Sequence, residues 1–162
     1  MKNRISVIFL TQSAVLAALY VALTLFSSVF GLAVGPFEFR LSEALAVLPA
    51  LTPAAVPGLF FGCLIANLWC GAHILDVVFG SLASLLGALG TRFFRDRPVL
   101  AYLCPVLANT LFVPPILYFV YGFHRGAFPF LLFTFFVGEA VSVGVLGALL
   151  HRALLPFRKY FQ

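Results

Sequence analysis

Residues 37–71 read FEFRLSEALAVLPALTPAAVPGLFFGCLIANLWCG, and the number of times this stretch enters a bilayer decides the fold. Nothing between Ala44 and Leu75 is charged, yet Ser42–Leu51 is short for a span, and Pro49, Pro53 and Pro57 punctuate the join. Charges elsewhere resolve the count. Lys and Arg concentrate on the cytoplasmic side of short loops, and here they form three groups: Lys2/Arg4, Arg92/Arg95/Arg97 and Arg152/Arg158/Lys159. Placing the first two groups on one side requires an even number of crossings between Arg4 and Arg92. The stretch 37–71 is therefore expected to cross twice, since a single crossing would send the 92–97 cluster outside.

The rest of the chain is built to the same scale. Hydrophobic residues make up 63% of it and charged residues 9%, whereas soluble domains carry roughly 25% charged residues to face water. Mean hydropathy is +1.12. A spanning helix needs about 20 apolar residues, and the runs Ile5–Phe37, Ala44–Leu75 and Pro98–His124 are free of charge. The expected fold is an all-α integral membrane protein with six transmembrane helices. Its spans fall at 5–30, 37–51, 54–71, 75–91, 99–121 and 127–151, within one transmembrane domain over 1–162, with both termini cytoplasmic. The apolar core from Ile5 to Phe26 is longer than the ~7–15 residues of a signal-peptide core, so it reads as a retained span. Eight of the ten basic residues then lie inside, and only Arg40 and Arg125 fall on outer segments. The net charge of +5 is accordingly a topology signal and gives no support to nucleic-acid binding. Cys63, Cys70 and Cys104 have no metal-ligand spacing and read as small buried packing residues. No metal or cofactor is expected.

Charges within spans are costly and usually face a cavity or a partner. Under the six-span topology Arg40, Glu43, Asn67 and Asp76 lie in the outer part of the membrane, and Asn109 and Glu139 nearer mid-depth. An outward cavity with a few placed polar groups is a small-molecule site in outline, with Phe37, Phe39, Trp69, Phe79, Tyr118 and Tyr121 as candidate walls. Each feature also has a plainer reading. Arg40 and Glu43 are spaced to pair with each other on a helix. Asp76 is placed to cap a helix, Asn67 and Asn109 to tie helices together, and Trp69, Tyr118 and Tyr121 to sit at the interface. Glu139, a mid-span carboxylate with no adjacent base, needs a distant partner. It contacts either substrate or another helix. His73, His124 and His151 form no catalytic or metal cluster.

Ala14, Ala18 and Ala22 recur every fourth residue in the first span. Such a stripe permits close helix approach in lipid, within the chain or against a partner subunit. The chain has no GxxxxGK[ST] phosphate loop, so ATP-driven transport would need another chain to hydrolyse the nucleotide.

The segments Gly35-Pro-Phe-Glu-Phe-Arg-Leu-Ser-Glu-Ala-Leu, Leu48-Pro, Thr52-Pro-Ala-Ala, Gly58-Leu-Phe-Phe-Gly-Cys-Leu-Ile-Ala-Asn67 and Asp76-Val-Val-Phe-Gly-Ser-Leu-Ala-Ser together resemble the QueT family of queuosine-precursor transporters. The alanine stripe near Leu19-Tyr20 and the pair Gly138-Glu139 fit as well. Pro57 and the aromatic run Phe128–Phe136 fall outside the family pattern. The resemblance implies a six-helix substrate-binding subunit of an energy-coupling factor transporter in a bacterial plasma membrane. Such a subunit captures a 7-deazaguanine such as preQ1 or preQ0 on the outer side. It docks by its first-helix alanines onto a transmembrane coupling protein carrying two ATPase subunits. A guanine-like edge presents an N–H beside an amino group, which matches the two oxygens of a carboxylate. That makes Glu43 and Glu139 the first candidates for the edge, Arg40, Asn67 and Asn109 donors for the ring oxygen, and Asp76 a partner for a cationic aminomethyl group. The same architecture with a vitamin-like ligand, a small membrane enzyme using Glu43 and Asp76, and a ligand-free assembly factor are the alternatives. The glycines of loop 31–39 suit a lid or a plain turn.

Overall fold

The computed structural model describes residues 2–31, 39–120, 122 and 128–160. The proposed lid falls mostly on 32–38, outside the described residues, as do Phe37, Tyr121, His124 and Arg125. The described chain is a succession of helices: α1 (Lys2–Val29), a 3-10 helix (Leu41–Ala50), α2 (Ala55–Trp69), α3 (Ile74–Phe93), α4 (Pro98–Val120) and α5 (Phe128–Glu139). From α5 the chain continues as a π-helical stretch (Ala140–Gly147), α6 (Ala148–Leu154) and a 3-10 turn (Leu155–Tyr160).

Four stretches are long and apolar enough to cross a bilayer, Val7–Val29, Ile74–Phe93, Pro98–Val120 and Phe128–Phe157. The other two elements are shorter, and one departs from expectation. The region expected as a span over 37–51 forms a 3-10 helix of 10 residues, which at about 2.0 Å per residue extends only ~20 Å, short of a ~30 Å hydrocarbon core. Pro49, inside this helix, supplies no N–H. The segment survives because protein surrounds it: Ser42, Glu43 and every residue from Leu45 to Ala50 are buried. Non-helical or strained backbone at membrane depth is tolerated when protein shields it from lipid.

Burial is inverted relative to a soluble domain. Ser13, Thr24, Ser27, Ser42, Asn67 and Thr91 are buried, while Leu10, Phe26, Phe61, Phe119 and Phe133 are exposed. An apolar exterior on this scale marks a surface made for something other than water.

Small residues set the helix spacings. A Cβ on Gly62 would lie 2.8 Å from the Tyr20 Cβ, and one on Gly58 2.9 Å from the Ser13 carbonyl, so α1 and α2 touch at these two glycines. Between α3 and α4, Gly87 receives Pro105 and Gly90 receives Cys104. Pro105 has no N–H to offer the Ala101 carbonyl one turn earlier. Thr91 Oγ1 donates to that carbonyl at 2.9 Å instead.

Side-chain bonds define the two ends of the bundle. At one end Ser13 Oγ donates to the Ala54 carbonyl and Thr52 Oγ1 to Gln12 Oε1, Arg92 donates to the Pro49 carbonyl, and Tyr102 bonds His151. At the other, the Leu41 N–H donates to Ser27 Oγ and Arg40 reaches Asn67.

Candidate functional site

The buried 3-10 helix carries the site. Arg40, in extended backbone at its N-terminal boundary, and Glu43, in its first turn, both line one recess. Its lining is Arg40, Glu43, Cys63, Gly80, Ser84, Asn109, Val113, Phe135 and Glu139, around a partly open cleft with about 10 Å³ of enclosed space. One residue from each of α4 and α5, Asn109 and Glu139, completes the polar centre.

Asn109 is the junction. Its side-chain amide donates to Glu43 Oε2 at 3.1 Å and to Glu139 Oε1 at 3.1 Å. The other Glu43 oxygen accepts from the Tyr20 hydroxyl. Glu43 is 4% exposed, Asn109 4% and Glu139 6%, so these bonds form away from solvent. At the rim, Arg40 Nη1 donates to Asn67 Oδ1 at 3.1 Å, and the Asn67 amide donates to the Asp76 carbonyl at 3.4 Å. Two acids against one guanidinium give the lining a formal charge of −1, which favours a ligand with cationic or strongly donating groups.

Five of the six expected polar residues therefore fall into two hydrogen-bonded groups, Glu43–Asn109–Glu139 and Arg40–Asn67. Arg40, Glu43, Asn109 and Glu139 line the recess, and Asn67 braces Arg40 from behind. Asp76 joins through its backbone carbonyl, in the first turn of α3. The cap of that helix is His73, whose Nδ1 accepts from the Leu75 N–H at 3.3 Å. Arg40 and Glu43 both engage other elements. Asn67 and Asn109 do tie helices together, as the plainer reading had it, and do so at the recess itself.

The alanine stripe is resolved in favour of an open face. Ala14, Ala18 and Ala22 are all exposed, while Ser13, Leu16, Ala17 and Tyr20 lie against the α2 glycines Gly58 and Gly62.

A family model for the QueT transporter matches residues 10–156. The chain belongs to the QueT transporter family. Comparison with curated proteins and with solved structures gave no match. Family and apolar helices together make this a multi-pass membrane protein of a transport system.

In this QueT-family chain Tyr20 and five lining residues, Cys63, Gly80, Ser84, Val113 and Phe135, were not among the expected site residues. Tyr20 sits in an uncharged run, and its phase was the available signal: Tyr20, Thr24 and Ser27 share the face of α1 that also carries Ser13. Phe135, the aromatic side chain on the recess, belongs to the run 128–136. Two of the expected walls, Trp69 and Phe79, are 75% and 40% exposed and face outward. Tyr118 stacks edge-on with Phe119 and Phe128, ring centroids 5.2 and 5.4 Å apart. Cys63 is buried as expected, Cys104 is partly buried, and Cys70 is exposed.

Proposed function

We propose that this chain is the substrate-binding subunit of an energy-coupling factor transporter and captures a 7-deazaguanine queuosine precursor from the outer side of a bacterial plasma membrane. The observation that carries the reading is the pair of buried carboxylates bridged by one amide, Glu43–Asn109–Glu139, inside a membrane-embedded bundle. Buried acids in lipid are expensive and mark substrate paths or helix cross-links. These two open onto a recess with a guanidinium and a phenyl ring.

In this reading Glu43 and Glu139 accept hydrogen bonds from the N–H and amino group of the guanine-like edge. Asn109, whose two amide protons already serve the carboxylates, keeps its bond to Glu43 and yields the one to Glu139 as the ligand edge arrives. Arg40, held by Asn67, donates to the ring oxygen, and Phe135 covers a face of the bicycle. The formal charge of −1 favours the cationic aminomethyl group of preQ1, with Asp76 nearby at the rim.

The topology belongs to the same proposal: six membrane segments, counting the short pair Leu41–Ala50 and Ala55–Trp69, with both termini cytoplasmic and the recess mouth outward. The bond pattern at the two bundle ends supports it, because Arg92 and Arg152 fall near the end where Ser13 meets Ala54. The exposed face of Ala14, Ala18 and Ala22 is the docking surface for a transmembrane coupling protein bearing two ATPase subunits. Hydrolysis there reorients the loaded subunit and delivers the ligand inside.

Calorimetry on the purified chain in detergent tests the reading, with preQ1, preQ0, queuine and guanine as ligands and riboflavin and biotin as controls. Submicromolar binding of a deazaguanine, lost in Glu43→Gln and Glu139→Gln, is expected. A folded sample that binds no deazapurine, or that binds a vitamin instead, refutes it.

A further inference from the structure

Three side chains on one face of α1 hold the segment that bears Glu43. The Tyr20 hydroxyl donates to Glu43 Oε1, Thr24 Oγ1 donates to Ser42 Oγ at 2.8 Å, and Ser27 Oγ accepts from the Leu41 N–H at 3.1 Å. Positions 20, 24 and 27 thus meet 43, 42 and 41 in antiparallel order. The first of these bonds differs from the others in kind. Thr24 and Ser27 secure backbone and a hydroxyl, whereas Tyr20 holds the carboxylate itself.

Tyr20 is built to keep that hydroxyl in place. It is 1% exposed, and the missing side chain at Gly62 leaves room for its Cβ. A carboxylate offers about four lone-pair positions on two oxygens. Tyr20 takes one on Oε1 and Asn109 one on Oε2. Anchored on both oxygens, Glu43 cannot swing, and its remaining lone pairs are presented to the recess as a fixed pair. A fixed pair suits a donor edge with two adjacent N–H groups far better than one with a single N–H.

We propose that Tyr20 is a positioning residue of the ligand site: by anchoring Glu43 Oε1 it makes the recess select ligands with an N–H and an amino group side by side over ligands with the N–H alone. This rests on the capture reading above. It also gives α1 two working faces, one holding the acid and the other, Ala14/Ala18/Ala22, open at the surface.

The test compares wild type, Tyr20→Phe and Thr24→Val, each checked for folding by thermal unfolding in detergent. Each is titrated with 7-deazaguanine and 7-deazahypoxanthine, which differ by the exocyclic amino group. Tyr20→Phe keeps the ring and removes only the hydroxyl. It is expected to weaken 7-deazaguanine binding by about 10-fold or more, the scale of a hydrogen bond to a charged group, and to lower the preference for 7-deazaguanine over 7-deazahypoxanthine. Thr24→Val breaks the neighbouring bond of the same row and is expected to leave that preference unchanged. If Tyr20→Phe weakens both ligands equally, or Thr24→Val shifts the preference as much, Tyr20 is a packing residue and the proposal fails. If Tyr20→Phe binds as wild type does, it fails too. A wild type that binds neither purine overturns the capture reading, and this inference falls with it.

Discussion

Replacing Asn109 by leucine removes the one amide that serves both buried acids while nearly preserving side-chain volume. Two bonds of 3.1 Å are lost, each to a group that carries formal charge. Hydrogen bonds to charged groups contribute about 1.5–3 kcal/mol apiece, so the empty protein should lose roughly 3–6 kcal/mol from the pair, the two bonds being treated as additive. Neither acid has solvent to turn to, since both are less than a tenth exposed. The assay is denaturant or thermal unfolding of the purified chain in a single detergent, with Leu111→Ala, an exposed side chain on the same helix, as the comparison. A loss below about 1 kcal/mol, the worth of a single ordinary hydrogen bond, would refute the view that this amide holds the two carboxylates together.

Further expectations follow from the packing and the open face. Gly87→Ala places a Cβ 2.7 Å from the Pro105 Cα, against backbone that cannot step aside, and should destabilise by about 1–3 kcal/mol through overpacking, read as a lowered unfolding midpoint. Thr91→Val removes the donor that satisfies the Ala101 carbonyl and should cost about 1–3 kcal/mol; a neutral result would show that the carbonyl finds another partner. Ala18→Phe adds bulk to an exposed stripe and should leave ligand affinity of the isolated chain unchanged while abolishing uptake by the assembled transporter. Retained uptake would show that the stripe faces lipid alone.

What the sequence made legible, and what it did not, separates along one physical line. Hydropathy and charge report depth along the membrane normal, because the cost of a charge depends on depth. Depth placed Arg40, Glu43, Asn67 and Asp76 in the outer part of the membrane and Asn109 and Glu139 nearer mid-depth; the structure puts Arg40, Glu43, Asn109 and Glu139 on one recess, with Asn67 bonded to Arg40 and to the Asp76 carbonyl. Which way a side chain faces around its helix is a matter of phase, and phase needs the winding to be known. In α1, an ordinary helix, the phase was readable: positions 13, 17, 20, 24 and 27 turn inward, and 14, 18 and 22 outward. Over Leu41–Ala50 the chain winds at three residues per turn, so a wheel drawn at 3.6 misplaces the faces of the later residues of this helix. The site's last acid precedes the other irregular winding, the π stretch Ala140–Gly147. Its wider turns keep Glu139, Val143 and Gly147 on one side, and Gly147 there makes room for Val47 of the 3-10 helix. The two unusual helices thus pack against each other, in the segments that carry Glu43 and follow Glu139. Because a Cβ on Gly147 would lie 2.7 Å from Val47 Cγ1, Gly147→Val should push the 3-10 helix that bears Glu43 and disturb ligand binding without touching any residue that lines the recess.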